Sequence, residues 1–91
     1  MAKVVVTIEI MPADPGVNLE KLQKEAEQKI KEFGGDVGKV EVQPVAFGLK
    51  LIKIMFIMDE SKGSTDPLEN KIGELQGISS AKVSDVRRTL G

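Results

Sequence analysis

The order of hydrophobic periodicities along the chain is the feature that most restricts its fold. Every second residue is largely apolar over 3–11, 37–45 and 49–59, and more weakly over 78–86, whereas apolar residues recur every three to four positions over 19–33 and 68–75. A period of two indicates a strand, and a period near 3.6 indicates a helix. The sequence therefore predicts strand, helix, strand, strand, helix, strand.

The strands differ in how apolar their two faces are, and this difference predicts their order in a sheet. In the third strand the positions expected to face the core are Ile52, Ile54, Phe56 and Met58, and the positions on its other face that are also apolar are Leu51, Met55 and Ile57. Such a strand suits the centre of a sheet, whereas Pro44 in the second strand suits an edge. Right-handed crossovers then place both helices on one face of a four-stranded antiparallel sheet, with the first and third strands central. The predicted fold is α+β, a ferredoxin-like βαββαβ sandwich with one open sheet face.

Start and stop signals bound both predicted helices. Asn18 is a favourable N-cap for the first helix, and Gly34 supplies the left-handed conformation that commonly ends one. For the second helix, Asp66 is predicted as the N-cap, with Pro67 at the first helical position and Glu69 at the third.

Length and composition exclude several classes of protein. The 91 residues have room for one core, so residues 1–91 are expected to form a single domain.

The absence of cysteine and histidine removes disulfides, thiolate metal sites and the commonest general base, so we expect no catalytic residue, metal site or cofactor. A membrane span needs about 20 apolar residues in a row, and the longest run here is Ile54–Met58. With no signal-peptide pattern at the start, a cytoplasmic protein without a membrane partner is expected.

Three groups of residues are candidates for function. Asp59 and Glu60 are either an acid and base pair, or half of a magnesium site, or simply solvated turn carboxylates. Phe47, in the turn between two strands, is either packed under that hairpin or exposed as an anchor for a partner. Arg87 and Arg88 are either a solvated tail or a probe for an anionic pocket of another protein, because guanidinium groups suit carboxylates and phosphates.

Four segments of the sequence are distinctive: VVVTIEIMP at 4–12, QPVAFGLK at 43–50, Ser64-Thr65-Asp66 at the second helix start, and VSDVRRTLG at 83–91. Together they resemble the archaeal translation elongation factor 1-beta family. The hairpin is also similar to that of the C-terminal exchange domain of the eukaryotic factor, which runs proline, hydrophobic, glycine, aromatic, glycine, hydrophobic, lysine. The resemblance covers essentially the whole chain, and its most specific parts are PVAFGLK and Asp85–Arg88.

The resemblance implies a guanine-nucleotide exchange factor that binds the GTPase elongation factor 1-alpha and speeds GDP release without covalent chemistry. The partner-binding residues that it implies are Phe47, Gly48, Lys50, Asp85, Arg87 and Arg88. In eukaryotic relatives the hairpin aromatic contacts the second domain of the GTPase, and a lysine near the C-terminus enters the Mg²⁺ and γ-phosphate region. Arg88, or else Arg87, stands where that lysine would be. Without the N-terminal assembly domain of the eukaryotic factors, the chain is expected to act as a bare exchange domain and a monomer.

Two other functions fit the same fold. The helix-free sheet face favours a small-ligand-binding or regulatory domain, because this fold hosts many activities. An RNA-binding module fits less well: the net charge is −1 and the sequence has three aromatic residues. Of these, Phe56 is the aromatic of the third strand, and its position predicts that it faces the core rather than a nucleic acid.

Overall fold

The computed structural model describes residues 3–88. The elements are the strands β1 (Lys3–Pro12), β2 (Asp36–Pro44), β3 (Lys50–Asp59) and β4 (Ile78–Arg88), and the helices α1 (Leu19–Phe33) and α2 (Asp66–Gly73). Short 3₁₀ turns at Ala46–Gly48 and Glu60–Lys62 flank β3. Neither helix within residues 3–88 is long and apolar enough to cross a membrane.

The sheet has the predicted order, with β1 and β3 at the centre and β2 and β4 at the edges. All three pairings are antiparallel, with Ile8 opposite Ile54 and Val6 opposite Phe56 in the central pair. Even-numbered residues of β1 and β3 face the helices, and the buried cluster is Val4, Val6, Ile8, Ile10, Leu22, Ala26, Ile30, Ile52, Ile54, Phe56, Met58, Leu68, Ile72 and Ile78. The α+β, ferredoxin-like βαββαβ prediction is confirmed, because the alternation that predicted the strands also decides which side chains meet both helices.

The helix α1 begins and ends where the sequence predicts. The Asn18 side chain accepts a hydrogen bond from the Lys21 amide at 3.2 Å, and Gly34 has φ of 104°. The next residue must be glycine for a different reason, because a Cβ at Gly35 would lie 2.8 Å from side-chain atoms of both Ile30 and Phe56. One glycine therefore ends the helix, and the other lets the chain pass close to the core.

The helix α2 begins one residue earlier than predicted. Its N-cap is Thr65 rather than Asp66, and Pro67 is the second helical residue. The Ser64 hydroxyl accepts a hydrogen bond from the Asp66 amide at 3.1 Å. Ser64, rather than the predicted Asp66, therefore provides a side-chain acceptor for a backbone amide at the start of the helix. The Glu69 carboxylate accepts from the Thr65 hydroxyl and from the Val83 amide, both at 3.3 Å. This link to β4 is a tertiary contact, which helix-start patterns do not report.

The strand β4 extends two residues beyond the predicted end at Val86. Arg87 pairs with Val5, and Arg88 pairs with Val4, so both arginines belong to the sheet. A bulge interrupts this pairing, because Thr7 lies opposite Asp85 while the next residue of β1 lies opposite Val83. The extension occurs because the first residues of β1 still offer backbone groups to pair with.

Candidate functional site

The predicted site residues lie at opposite ends of the sheet. The hairpin end, Pro44–Lys50, joins β2 to β3. The arginine end is formed by Asp85, Arg87 and Arg88 of β4 together with Glu60, which follows β3. The ten residues of β3 separate these ends by roughly 30 Å, given about 3.3 Å per residue. The residues therefore form two separate sites rather than one.

Phe47 at the hairpin end is exposed and lies in a strained conformation. Its φ of 62° and ψ of 30° are in the left-handed region, which costs a non-glycine residue about 1 kcal/mol. The side chain is 92% exposed, so no burial offsets this cost, and the alternative that Phe47 packs under the hairpin is wrong. Strained backbone conformations of this kind are commonly found at functional positions.

The rest of the hairpin end supports this turn. Val45 donates a backbone hydrogen bond to Leu49 at 2.9 Å and closes the loop, while Gly48 also has a positive φ, of 75°. Val45 and Val42 are further exposed hydrophobic residues near the tip. Lys50 is exposed, and within residues 3–88 it forms no ion pair. The tip thus presents apolar surface beside one cation.

At the arginine end the two guanidinium groups lie on opposite faces of the sheet. Arg88 pairs with Val4 and shares the helix-covered face, whereas Arg87 pairs with Val5 and lies on the open face. Each has a carboxylate partner: Arg87 Nε donates to Asp85 at 2.9 Å, and Arg88 donates to Glu60. The hydrogen bond to Glu60, and then its charge, raise the pKa of Arg88 above its ordinary value.

The neighbouring carboxylates Asp59 and Glu60 have separate structural duties. Asp59 accepts a hydrogen bond from the Ser61 amide at 2.9 Å, and that bond is the main reason its pKa lies below the ordinary 3.8. Glu60 is engaged with Arg88. Within residues 3–88 no group of three or more potential ligands could hold a metal ion. These contacts favour the turn interpretation over an acid and base pair or half of a magnesium site.

A pocket beside the arginine end was not anticipated from the sequence. Its volume is about 350 Å³, and its lining residues are Val4, Val6, Met58, Glu60, Gly63, Ser64, Thr65 and Val86. We call it the Val86 pocket. The alternation in β4 puts Val83 toward the core and would point Val86 the other way, but the bulge reverses this. No local sequence signal marks the pocket, because it depends on the register between β1 and β4.

The open face carries the second apolar side of β3 that the sequence predicts. Met55 and Ile57 are each 37% exposed, whereas Met58 is buried in the core as expected. Charged pairs interrupt the apolar surface, with Lys53 Nζ 3.8 Å from Glu9. Both helices of the described chain pack on the other face. The open face is therefore mixed in character rather than a continuous apolar platform.

These features define a ferredoxin-like domain with an exposed aromatic tip at one end and two arginines at the other. Solved structures share the fold. The ACT domain from GTP pyrophosphokinase of Chlorobium tepidum has a TM-score of 0.62 at 14% identity, covering 90% of this chain and 99% of that one. The de novo designed protein Foldit4 has a TM-score of 0.61 at 21% identity, covering 98% of each chain. At these identities the likeness establishes the fold alone.

Sequence relatives define the family. The EF-1 guanine nucleotide exchange domain matches residues 5–89. Elongation factor 1-beta of Methanothermobacter thermautotrophicus is 38% identical over 90 residues, covering 99% of this chain and 100% of the relative. The same factor of Staphylothermus marinus is 35% identical over 89 residues, covering 97% and 98%. The chain belongs to the EF-1 guanine nucleotide exchange domain family, as the sequence resemblance predicts, and its archaeal relatives are translation elongation factors.

Proposed function

We propose that the protein promotes exchange of GDP for GTP on the GTPase elongation factor 1-alpha. Its family membership supports this role, and the observation that carries the mode of binding is the strained and exposed Phe47. An exchange factor acts by binding, so it needs no covalent chemistry. Residues 1–91 act as one exchange domain, a cytoplasmic monomer whose partner is the GTPase rather than a nucleic acid or a membrane.

The two ends of the sheet contact two separate regions of the GTPase. Phe47 provides an apolar anchor, as rigid aromatic side chains often do at interfaces, on the second domain of the partner. Gly48 keeps the turn in shape, and Lys50 lies beside the anchor. The arginine end, roughly 30 Å away along β3, reaches the nucleotide site. A partner with two domains can meet both ends at once.

The cation of Arg88 weakens the hold on GDP. Placed near the Mg²⁺ region of the GTPase, a guanidinium competes with the ion for its anionic ligands. Such a group shifts the equilibrium only by binding the nucleotide-free state more tightly than the GDP-bound state. By reciprocity, the GDP-bound GTPase must bind this protein more weakly. The complex of this protein with the nucleotide-free GTPase therefore dissociates when a nucleotide rebinds, and this dissociation permits turnover.

The two arginines have different roles in this proposal. Arg88 is the inserted group, since the family resemblance places it where the C-terminal lysine of the eukaryotic factors would be, and its carboxylate partner comes from a different element. Arg87 stays on the open face, where Asp85 of the same strand holds it.

The test is release of a fluorescent GDP analogue from the cognate elongation factor 1-alpha with sub-stoichiometric amounts of this protein. We expect faster release with turnover for the wild type, and loss of that stimulation for Arg88→Ala. The matched control is Lys82→Ala, which removes another exposed cation of the same strand and leaves stimulation intact. No acceleration by folded wild-type protein would contradict the proposal and favour a small-ligand-binding domain, which a metabolite-dependent rise in melting temperature would reveal.

A further inference from the structure

The contacts proposed for Phe47, Lys50 and Arg88 leave the Val86 pocket unused. Its floor is aliphatic, formed by Val4, Val6 and Met58, and Val86 forms a wall. Val86 lies on the helix side of the sheet and is nevertheless 54% exposed. The reason is that α2 is short, so the segment before it, Gly63–Thr65, borders the pocket instead of the helix itself.

The rim of the pocket carries an ion pair in which the carboxylate can be replaced by one from a partner. Glu60 lines the pocket and accepts a hydrogen bond from Arg88. Both side chains remain partly exposed, so a carboxylate arriving from outside can reach the guanidinium. A guanidinium has five N–H donors, and a carboxylate of the partner segment can replace Glu60 as its acceptor. An aliphatic cavity thus adjoins a cation that suits a carboxylate.

We propose that the Val86 pocket is a docking point for the GTPase, and that it receives an aliphatic side chain from a partner segment that carries a carboxylate beside it. The inference rests on the proposed function, and it adds an apolar contact next to Arg88. The cavity of about 350 Å³ falls within the usual range for small binding sites, roughly 300–1,000 Å³. Once a partner carboxylate replaces Glu60 on the Arg88 guanidinium, the positive charge of Arg88 favours an acidic partner segment over a basic one.

The experiment compares Val86→Gln with Ile57→Gln in the nucleotide-release assay. Both changes replace a partly exposed β-branched residue of a strand with a neutral amide. Ile57 pairs with Val5 at the same end of the sheet but lies on the open face. For Val86→Gln we expect the concentration that gives half-maximal stimulation to rise by about tenfold, as for loss of an interface anchor, with the maximal rate unchanged. For Ile57→Gln we expect both parameters to stay within about twofold of the wild type.

The outcomes separate the two proposals. Wild-type protein that does not stimulate release overturns the proposed function together with the pocket inference. Stimulation by the wild type with no change in Val86→Gln overturns the pocket inference alone, as does a larger loss in Ile57→Gln. Circular dichroism checks that both variants fold. A third variant, Val86→Thr, keeps the shape of the side chain and adds a hydroxyl, and it should raise the half-maximal concentration by less than Val86→Gln does. Sedimentation that shows a wild-type dimer lost in Val86→Gln identifies a second copy as the occupant and also overturns it.

Discussion

The two ends of the sheet differ in how their exposed side chains are held. At the hairpin end Phe47 projects into solvent from a backbone conformation that is unfavourable for it. At the arginine end Arg88 and Arg87 each rest on a carboxylate of their own chain. The exposed Phe47 side chain can contact a partner without any rearrangement, whereas Arg88 must first separate from Glu60. We infer that Phe47 supplies affinity and that Arg88 supplies the exchange step.

The largest effect that this comparison predicts is on the maximal rate of exchange. Arg88→Ala should lower the saturating rate of stimulated GDP release by roughly a hundredfold, similar to the loss of one charged group that stabilises an activated state. Arg88→Lys should restore part of it, since the charge remains but the planar fork is lost. Stopped-flow release at saturating protein measures both. A loss that follows Arg87→Ala instead would reverse the assignment of the two arginines.

The next effect separates affinity from stability at the hairpin end. Phe47→Gly should raise the half-maximal concentration by about thirtyfold, the loss of an aromatic hot spot, while leaving the maximal rate unchanged. The same change should increase the free energy of unfolding by about 0.5–1 kcal/mol, because glycine adopts a positive φ without strain.

Two measurements check the hairpin prediction: nucleotide release for the affinity and urea denaturation for the stability. Phe47→Tyr is the control, since it keeps the aromatic ring and the strain. A Phe47→Gly variant that is less stable than the wild type would show that the tip has a structural role instead.

Freeing Arg88 from Glu60 should have a smaller effect, and it should increase the stimulation of nucleotide release rather than decrease it. Glu60→Gln keeps the shape of the side chain and removes the charge that holds Arg88, so stimulation at sub-saturating protein should rise by about two- to threefold, within the range for an exposed ion pair. The matched variant Asp85→Asn releases Arg87 on the opposite face, and it should raise stimulation less than Glu60→Gln does. A rise with Asp85→Asn alone would indicate that Arg87 enters the nucleotide site.

The smallest effect concerns acid stability at the arginine end. The pKa of Asp59 is lowered in the folded state by the Ser61 amide, so its ionised form stabilises the fold above the unfolded pKa. That contribution is lost as the pH falls through the folded pKa, below the ordinary 3.8. Thermal unfolding from pH 7 to pH 2 should therefore depend slightly less on pH in Asp59→Asn than in the wild type. An identical pH dependence would contradict this account.

The sequence by itself determined the order of strands and helices, the core face of β1 and β3, and the bounds of α1. These features depend on periodicity and on caps such as Asn18, which act between neighbours in the chain. The family resemblance implies that Phe47 and the arginines are contact residues, and that assignment stays a prediction. The sequence does not decide between a packed and an exposed Phe47, because a turn sequence does not report what packs beneath it.

Only the tertiary structure decided which face each arginine occupies. Counting alternate residues from Val83 puts Arg87 on the helix side, but the bulge, where the Ser84 hydroxyl donates to the Thr7 carbonyl at 3.4 Å, moves Arg88 there instead. The same shift creates the Val86 pocket and brings Arg88 to Glu60, 28 residues away in the chain. Strand register is set by pairing between distant segments, so a one-residue offset reverses every later side chain without changing the local pattern.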